Sequence, residues 1–316
     1  MIKNDNIYAA KTSDVSPNYT QWPQGVKKIE YLSSADNTLQ PAMFYCPVGK
    51  NCKPLLVGLH TWAGDYNQSG FGSPYAHWCI EKNWAFIHPN FRGPCETPQA
   101  TGSELVVQDI ISAVEYAKNC TDIDISRIYL AGVSGGGYTA LLMAGRCPQI
   151  WAAISAWVPI SDLKAWYFEC RKNGQKYHSQ VADSCGGEPI AGSEAEDQCK
   201  KRSPVTYLEN AKNNFIDINA GIHDGHTGSV YISHSFNAFN LLAAEEDKIS
   251  QDQIKYFVEK EKVPPDLICN ITDPLYGDNK VLFRRRSGKA RITIFEGGHE
   301  MLFWAGLNWL STKTKS

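Results

Sequence analysis

The sequence has no apolar run that could cross a bilayer: the stretch Trp151 to Ile160 falls well short of the roughly 20 residues a spanning helix needs. The first thirty residues are polar and lack the apolar centre of a secretory signal, so a soluble chain is expected, with any export signal already removed. A basic run is missing too. Lys plus Arg number 31 against 33 Asp plus Glu, a formal charge of -2, and nothing here can follow a phosphate backbone, which argues against nucleic acid as a partner. No two cysteines have the Cys-x-x-Cys spacing of a zinc ribbon, and no internal repeat is visible.

What is present is a chain of 316 residues, 43% hydrophobic, long enough to bury one large core. A single domain spanning 1–316 is expected. Its cysteines number ten, many for a reducing compartment. Cys46 and Cys52 bracket a short turn, while Cys170, Cys185 and Cys199 lie in a polar, Gly-rich segment where disulfides would replace a missing core. That pattern predicts a secreted or periplasmic protein. The alternative is a cytoplasmic enzyme with reduced, mostly buried thiols.

From Lys53 onward, short apolar runs alternate with helix-period stretches, the rhythm of a parallel sheet covered on both faces. Strands are predicted at Leu55 to Leu59, Trp84 to His88, Ile128 to Val133, Ala152 to Val158, Phe215 to Ala220 and Arg291 to Phe295. The clearest helix runs from about Gly102 to Lys118, with Thr101 and Glu104 at capping-box spacing. Others are predicted after Gly135, around His234 to Ala244, and from Glu300 to Leu310. Residues 161–205 and 246–288 break the rhythm as insertions; the first is expected to be a cap beside the active site, the alternative being decoration remote from the chemistry.

Gly132-Val133-Ser134-Gly135-Gly136 matches Gly-x-Ser-x-Gly, and its setting carries more weight than the match. A predicted strand runs straight into Ser134 and a stretch rich in Ala, Leu and Met follows Gly135. Such a turn strains the serine backbone and presents the hydroxyl at the carboxyl edge of the sheet. The N–H of Gly135, at a helix N-terminus, then faces any oxyanion that develops there.

A serine hydroxyl is a weak nucleophile until a base takes its proton. Of the 8 histidines, His299 follows the last predicted strand and precedes the last helix, which places it on the same sheet edge as Ser134. The orienting acid belongs between them in sequence, at a strand end, where Asp224 fits and Asp162 competes. His223, Asp224 and His226 also allow a metal-binding reading, although serine chemistry needs no metal or cofactor. The second oxyanion donor is expected from Leu59 to Gly64, as the N–H of Trp62 or Thr61, with His60 in a structural role. Trp62, Trp166 and Tyr167 are expected to wall the substrate, against the general tendency of aromatic side chains to pack in cores.

Several segments occur in one characteristic order: Pro54 to His60, Asn90-Phe91-Arg92-Gly93-Pro94, the Asp109 helix, Asp124 to Ile128 leading to Ser134, Ser203-Pro204, Gly221 to Asp224, and Gly297-Gly298-His299. On these, residues 53–312 resemble the catalytic domain of the prolyl oligopeptidase family and its single-domain esterase relatives. The resemblance implies an α/β-hydrolase fold, Ser134, Asp224 and His299 as the triad, and Gly135 and the His60 loop as oxyanion donors. The chain departs from that pattern in having His60-Thr61-Trp62 where His-Gly-Gly is usual. Only some fifty residues precede the first predicted strand, in place of the peptidases' β-propeller.

Three functions are therefore weighed. The first is hydrolysis of carboxylic esters through an acyl-enzyme, with acetyl or feruloyl groups on plant polysaccharide or a small-molecule ester as substrate. The second is a small peptidase or amidase with the same chemistry. The third is a silent binding protein on the same scaffold. No membrane partner is expected.

Overall fold

The computed structural model describes residues 19–49 and 51–315; most of the polar N-terminal stretch lies outside them. Among the described residues nine strands form one sheet: β1 (Lys27–Leu32), β2 (Leu39–Tyr45), β3 (Lys53–Leu59), β4 (Ala85–Pro89), β5 (Ile123–Val133), β6 (Ala153–Trp157), β7 (Phe215–Gly221), β8 (Val281–Ser287) and β9 (Ala290–Phe295). Their order is β1-β2-β4-β3-β5-β6-β7-β9-β8. The central neighbours from β4 to β9 pair in parallel, and the antiparallel pairs, β1 with β2, β2 with β4 and β8 with β9, lie at the edges. Strands β3, β4, β6 and β9 are buried at every position, as doubly covered strands must be.

Nine helices connect or cover them among the described residues: α1 (Ser69–Lys82), α2 (Glu104–Cys120), α3 (Gly135–Arg146), α4 (Leu163–Lys172), α5 (Tyr177–Cys185), α6 (Glu194–Arg202), α7 (Ser233–Leu242), α8 (Gln251–Lys260) and α9 (Phe303–Ser311). Helix α3 packs on β5 and β6, α7 on β7 and β9, while α9 packs on β6 and meets α1. This is the α/β-hydrolase fold. No helix among the described residues is long and apolar enough to cross a membrane.

Helix α2 begins one residue pair later than its sequence implied. Its cap is Ser103, whose hydroxyl accepts the Val106 N–H at 3.3 Å. Thr101 instead sits at φ 42° with its hydroxyl 2.8 Å from that of Ser184, so its side chain is committed to the first insertion.

That insertion also corrects the reading of the cysteines. Residues 161–205 fold into α4, α5 and α6 and do have a core, built from Leu163, Trp166, Tyr167, Cys170, Val181, Cys185 and Cys199 against Trp62, Cys95 and Tyr138. All ten cysteines are free, so the expected disulfides are not formed. The buried ones act as small apolar side chains, and they no longer carry an argument about compartment.

Candidate active site

Parallel strands deliver their carboxyl ends to one rim, and register aligns them there. Gly132 pairs with Leu59, Val133 with Trp157, Trp157 with Asn219, and Gly221 with Phe295. The loops after β3, β5, β7 and β9 therefore open side by side, carrying His60 to Trp62, Ser134, Asp224 and His299.

Ser134 sits between β5 and α3 at φ 57° and ψ -120°, a region that costs a non-glycine residue about 1–3 kcal/mol. Two backbone hydrogen bonds hold it: its N–H donates to Trp157 O at 2.9 Å, and its carbonyl accepts the Tyr138 N–H at 2.8 Å. The turn closes only because its neighbours have no side chain. A Cβ on Gly132 would lie 2.3 Å from the Gly136 backbone, and one on Gly135 would lie 2.3 Å from the Trp62 nitrogen.

The loops after β7 and β9 are joined by main-chain hydrogen bonds: Ile222 N–H to Phe295 O at 2.9 Å and His223 N–H to Gly297 O at 3.0 Å. This places Asp224 Oδ2 2.8 Å from His299 Nδ1, while His299 Nε2 is 2.8 Å from Ser134 Oγ. The other Asp224 oxygen accepts N–H groups from Gly225 at 2.8 Å and Val230 at 3.3 Å. Asp224 is 1% exposed and the His299 side chain 23%. With the carboxylate drawing the proton to Nδ1, Nε2 is left to accept the serine proton. Gly228 presses on the pair, since a Cβ there would lie 2.3 Å from Asp224 Oδ1 and 2.5 Å from His299 Cβ.

The competing residues have other work. Asp162 caps α4, accepting the N–H groups of Lys164 and Ala165 at 2.9 and 3.1 Å. His223 lies between Glu261 and Glu296, and His226 Nε2 meets Val258 O at 2.7 Å. His223, Asp224 and His226 thus turn to different partners, and no group of metal-binding side chains occurs among the described residues.

Gln68 separates Thr61 from Trp62 as candidate oxyanion donors. The Thr61 N–H donates to Gln68 Oε1 at 2.9 Å, and Gln68 Nε2 donates to Thr61 Oγ1 at 2.7 Å, so the Thr61 amide is already used. The Thr61 carbonyl accepts the Gly64 N–H at 3.0 Å and lies 2.9 Å from His60 Nδ1. In a trans peptide the N–H points away from its carbonyl, so pinning Thr61 O aims the Trp62 N–H oppositely. The Trp62 nitrogen lies against Gly135, whose own N–H opens α3 without an intrahelical acceptor. His60 is fully buried, stacked on Phe91 at 3.8 Å, with its ring nitrogens facing Thr61 O and Asn90 O. Burial lowers its pKa.

Trp62, Trp166 and Tyr167 do not form an exposed wall: they are 3%, 1% and 5% exposed. Trp62 and Trp166 pack edge to face at 4.6 Å, and their indole N–H groups donate to Gln180 Oε1 at 3.0 Å and Ser229 O at 2.8 Å. They join the first insertion to the body. Sequence reasoning missed Gln68, Gln180 and Gly228; the only signal for Gln68 was its place just before α1, beside the oxyanion loop.

Known proteins share this arrangement to different extents. A model of the prolyl oligopeptidase family matches residues 78–258, more than half of the chain, including Ser134 and Asp224. The uncharacterised protein YfhR of Salmonella typhi is 26% identical over 98 residues, covering 31% of this chain and 32% of that protein. Among solved structures, the acylaminoacyl peptidase of Pyrococcus horikoshii superposes with TM-score 0.62 at 15% identity, over 92% of this chain and 42% of that one. A thermostable esterase superposes with TM-score 0.53 at 15% identity, over 92% of this chain and 63% of that one. The chain thus spans less than two thirds of each of these proteins. Its sequence match and its sheet lead to one conclusion: the chain belongs to the prolyl oligopeptidase family of serine hydrolases.

Proposed function

We propose that the protein hydrolyses carboxylic esters through an acyl-enzyme. Ser134 Oγ attacks the ester carbonyl as His299 Nε2 takes its proton, Asp224 stabilises the imidazolium, and the N–H groups of Trp62 and Gly135 hold the oxyanion. His299 then protonates the departing alcohol, and water repeats the sequence to release the acid. The observation that carries this reading is the unbroken line from Asp224 through His299 to Ser134, with both contacts at 2.8 Å.

The ester reading is supported by the similarity to the thermostable esterase, of which the chain covers 63%. Acetyl or feruloyl esters of plant polysaccharide are the substrate class proposed within it, on the resemblance to the compact esterases. A second reading, amide or peptide cleavage, is favoured by the fold shared with the acylaminoacyl peptidase. Side-by-side rates on acetyl and feruloyl esters and on aminoacyl amides, each repeated with Ser134→Ala, separate the two. Turnover of esters that vanishes in the variant supports the proposal; turnover of amides alone replaces it with the second reading.

A further inference from the structure

The second insertion touches the proposed site through one side-chain cluster. Helix α8 ends at Glu261, whose Oε2 lies 2.6 Å from His223 Nδ1. The other ring nitrogen, Nε2, lies 2.7 Å from Glu296 Oε1. His223 directly precedes Asp224, and Glu296 stands on the loop that leads to His299. A second tie runs parallel, from His226 Nε2 to the Val258 carbonyl of α8 at 2.7 Å.

Only an imidazolium can donate from both nitrogens to two carboxylates. The two glutamates raise the pKa of His223, Glu261 first, and His223 lowers that of Glu261. The charged groups facing the ring are Glu261 from the end of α8 and Glu296 from the end of β9. On its own loop, His226 acts on Glu261, and the Asp224 carboxylate is turned to His299. The side chains of His223, Glu261 and Glu296 are 37%, 35% and 52% exposed, and ion pairs so open to water contribute little to stability. Yet Glu261 occupies the left-handed C-cap, φ 49° and ψ 41°, where glycine is the unstrained choice. A strained glutamate in a weak pair fits a requirement for position better than one for stability.

We propose that His223 is a positioning residue: held between Glu261 and Glu296, it sets the spacing of the loops that carry Asp224 and His299 and ties the second insertion to them. The proposal rests on the serine hydrolase reading above. His223, its pKa raised by the two glutamates, keeps its charge to higher pH than a free imidazole does and loses it as pH rises further, so the brace is complete on the acid side and is lost on the alkaline side. Turnover should therefore show an alkaline fall that belongs to His223.

The test is the pH dependence of kcat and KM for the whole chain on an activated acetyl ester. His223→Gln is expected to lower kcat about tenfold with KM nearly unchanged, and to abolish the alkaline fall. His223→Arg, charged at every pH, is expected to restore most of kcat without that fall. Glu261→Gln provides a variant on the other side of the contact and is expected to move the fall to lower pH. Parent-like kcat and pH profile in a folded His223→Gln enzyme would overturn the proposal, even with Ser134→Ala inactive. Activity retained by Ser134→Ala would instead overturn the triad itself.

Discussion

Residues 161–205 and 246–288, both expected to be insertions, are of similar length but are attached by different physics; the second is not wholly an insertion, because it includes β8, an edge strand of the sheet. The first is joined through apolar packing, with Trp166, Tyr167 and three cysteines buried against Trp62 and Tyr138. The second adds Ile254, Phe257 and Tyr276 to the main core and meets the acid loop through charged and polar contacts of His223 and His226. Apolar contacts are not weakened by charge screening, whereas interactions between exposed charges are screened over a length of about 8 Å at physiological ionic strength. Conditions should therefore act on the two contacts unequally, the first segment's holding through changes of salt and pH that loosen the second segment's contact with the acid loop.

The largest effect is expected from removing the apolar anchor. Trp166→Ala should cost about 3–5 kcal/mol in chemical denaturation, at low and high salt alike, because it empties a fully buried site. A loss that depended strongly on salt would erase the contrast between the insertions.

Next in size is a test of what holds the oxyanion loop. Gln68→Ala frees the Thr61 amide and hydroxyl and should lower kcat about a hundredfold with little change in KM. Gln180→Ala removes the first insertion's polar ties to the Trp62 indole and to Glu96 and should lower kcat much less. The reverse order would mean that the insertion, not Gln68, sets the Trp62 peptide.

The histidines extend the comparison to pH with opposite signs. In the body, burial holds His88 down to about 3 and lowers His60 also. A buried neutral histidine contributes stability that is present above its unfolded pKa of about 6.5 and is lost as pH falls below it. His88→Phe, among the rings of Trp22 and Phe86, should flatten the acid slope of unfolding free energy by up to about 1.4 kcal/mol per pH unit. The brace at His223, whose pKa is raised, fails in the other direction.

The smallest change is expected from Glu261→Gly. It relaxes the left-handed cap while giving up an exposed pair, so the unfolding free energy should move by no more than about 0.5 kcal/mol. Turnover should still fall, which would separate position from stability at this residue.

The parts of this molecule that sequence reveals are those where one residue type answers one physical demand. Strands β3, β6 and β9 are mostly apolar and buried at every position because both faces are covered. The edge strands escape that logic: β1 buries only Tyr31, and β8 hides behind Arg284 to Arg286, whose guanidinium groups lie over Tyr276 and Phe283 in two of the three cases. The polar composition of residues 161–205 concealed three short amphipathic helices with a shared core. That Ser134, Asp224 and His299 meet was legible because each follows the carboxyl end of a central strand, by one, three and four residues. The oxyanion donor was not, since any residue supplies an amide and only the contacts of Gln68 distinguish Thr61 from Trp62.

The most direct measurement is the mass of the intact protein and of its peptides after treatment with a fluorophosphonate, for the parent chain and for His299→Ala. A hydroxyl activated by His299 predicts one phosphonyl adduct, on Ser134, formed far more slowly in the variant. An enzyme that turns over esters yet carries no adduct on Ser134, or is labelled equally fast without His299, would contradict the account.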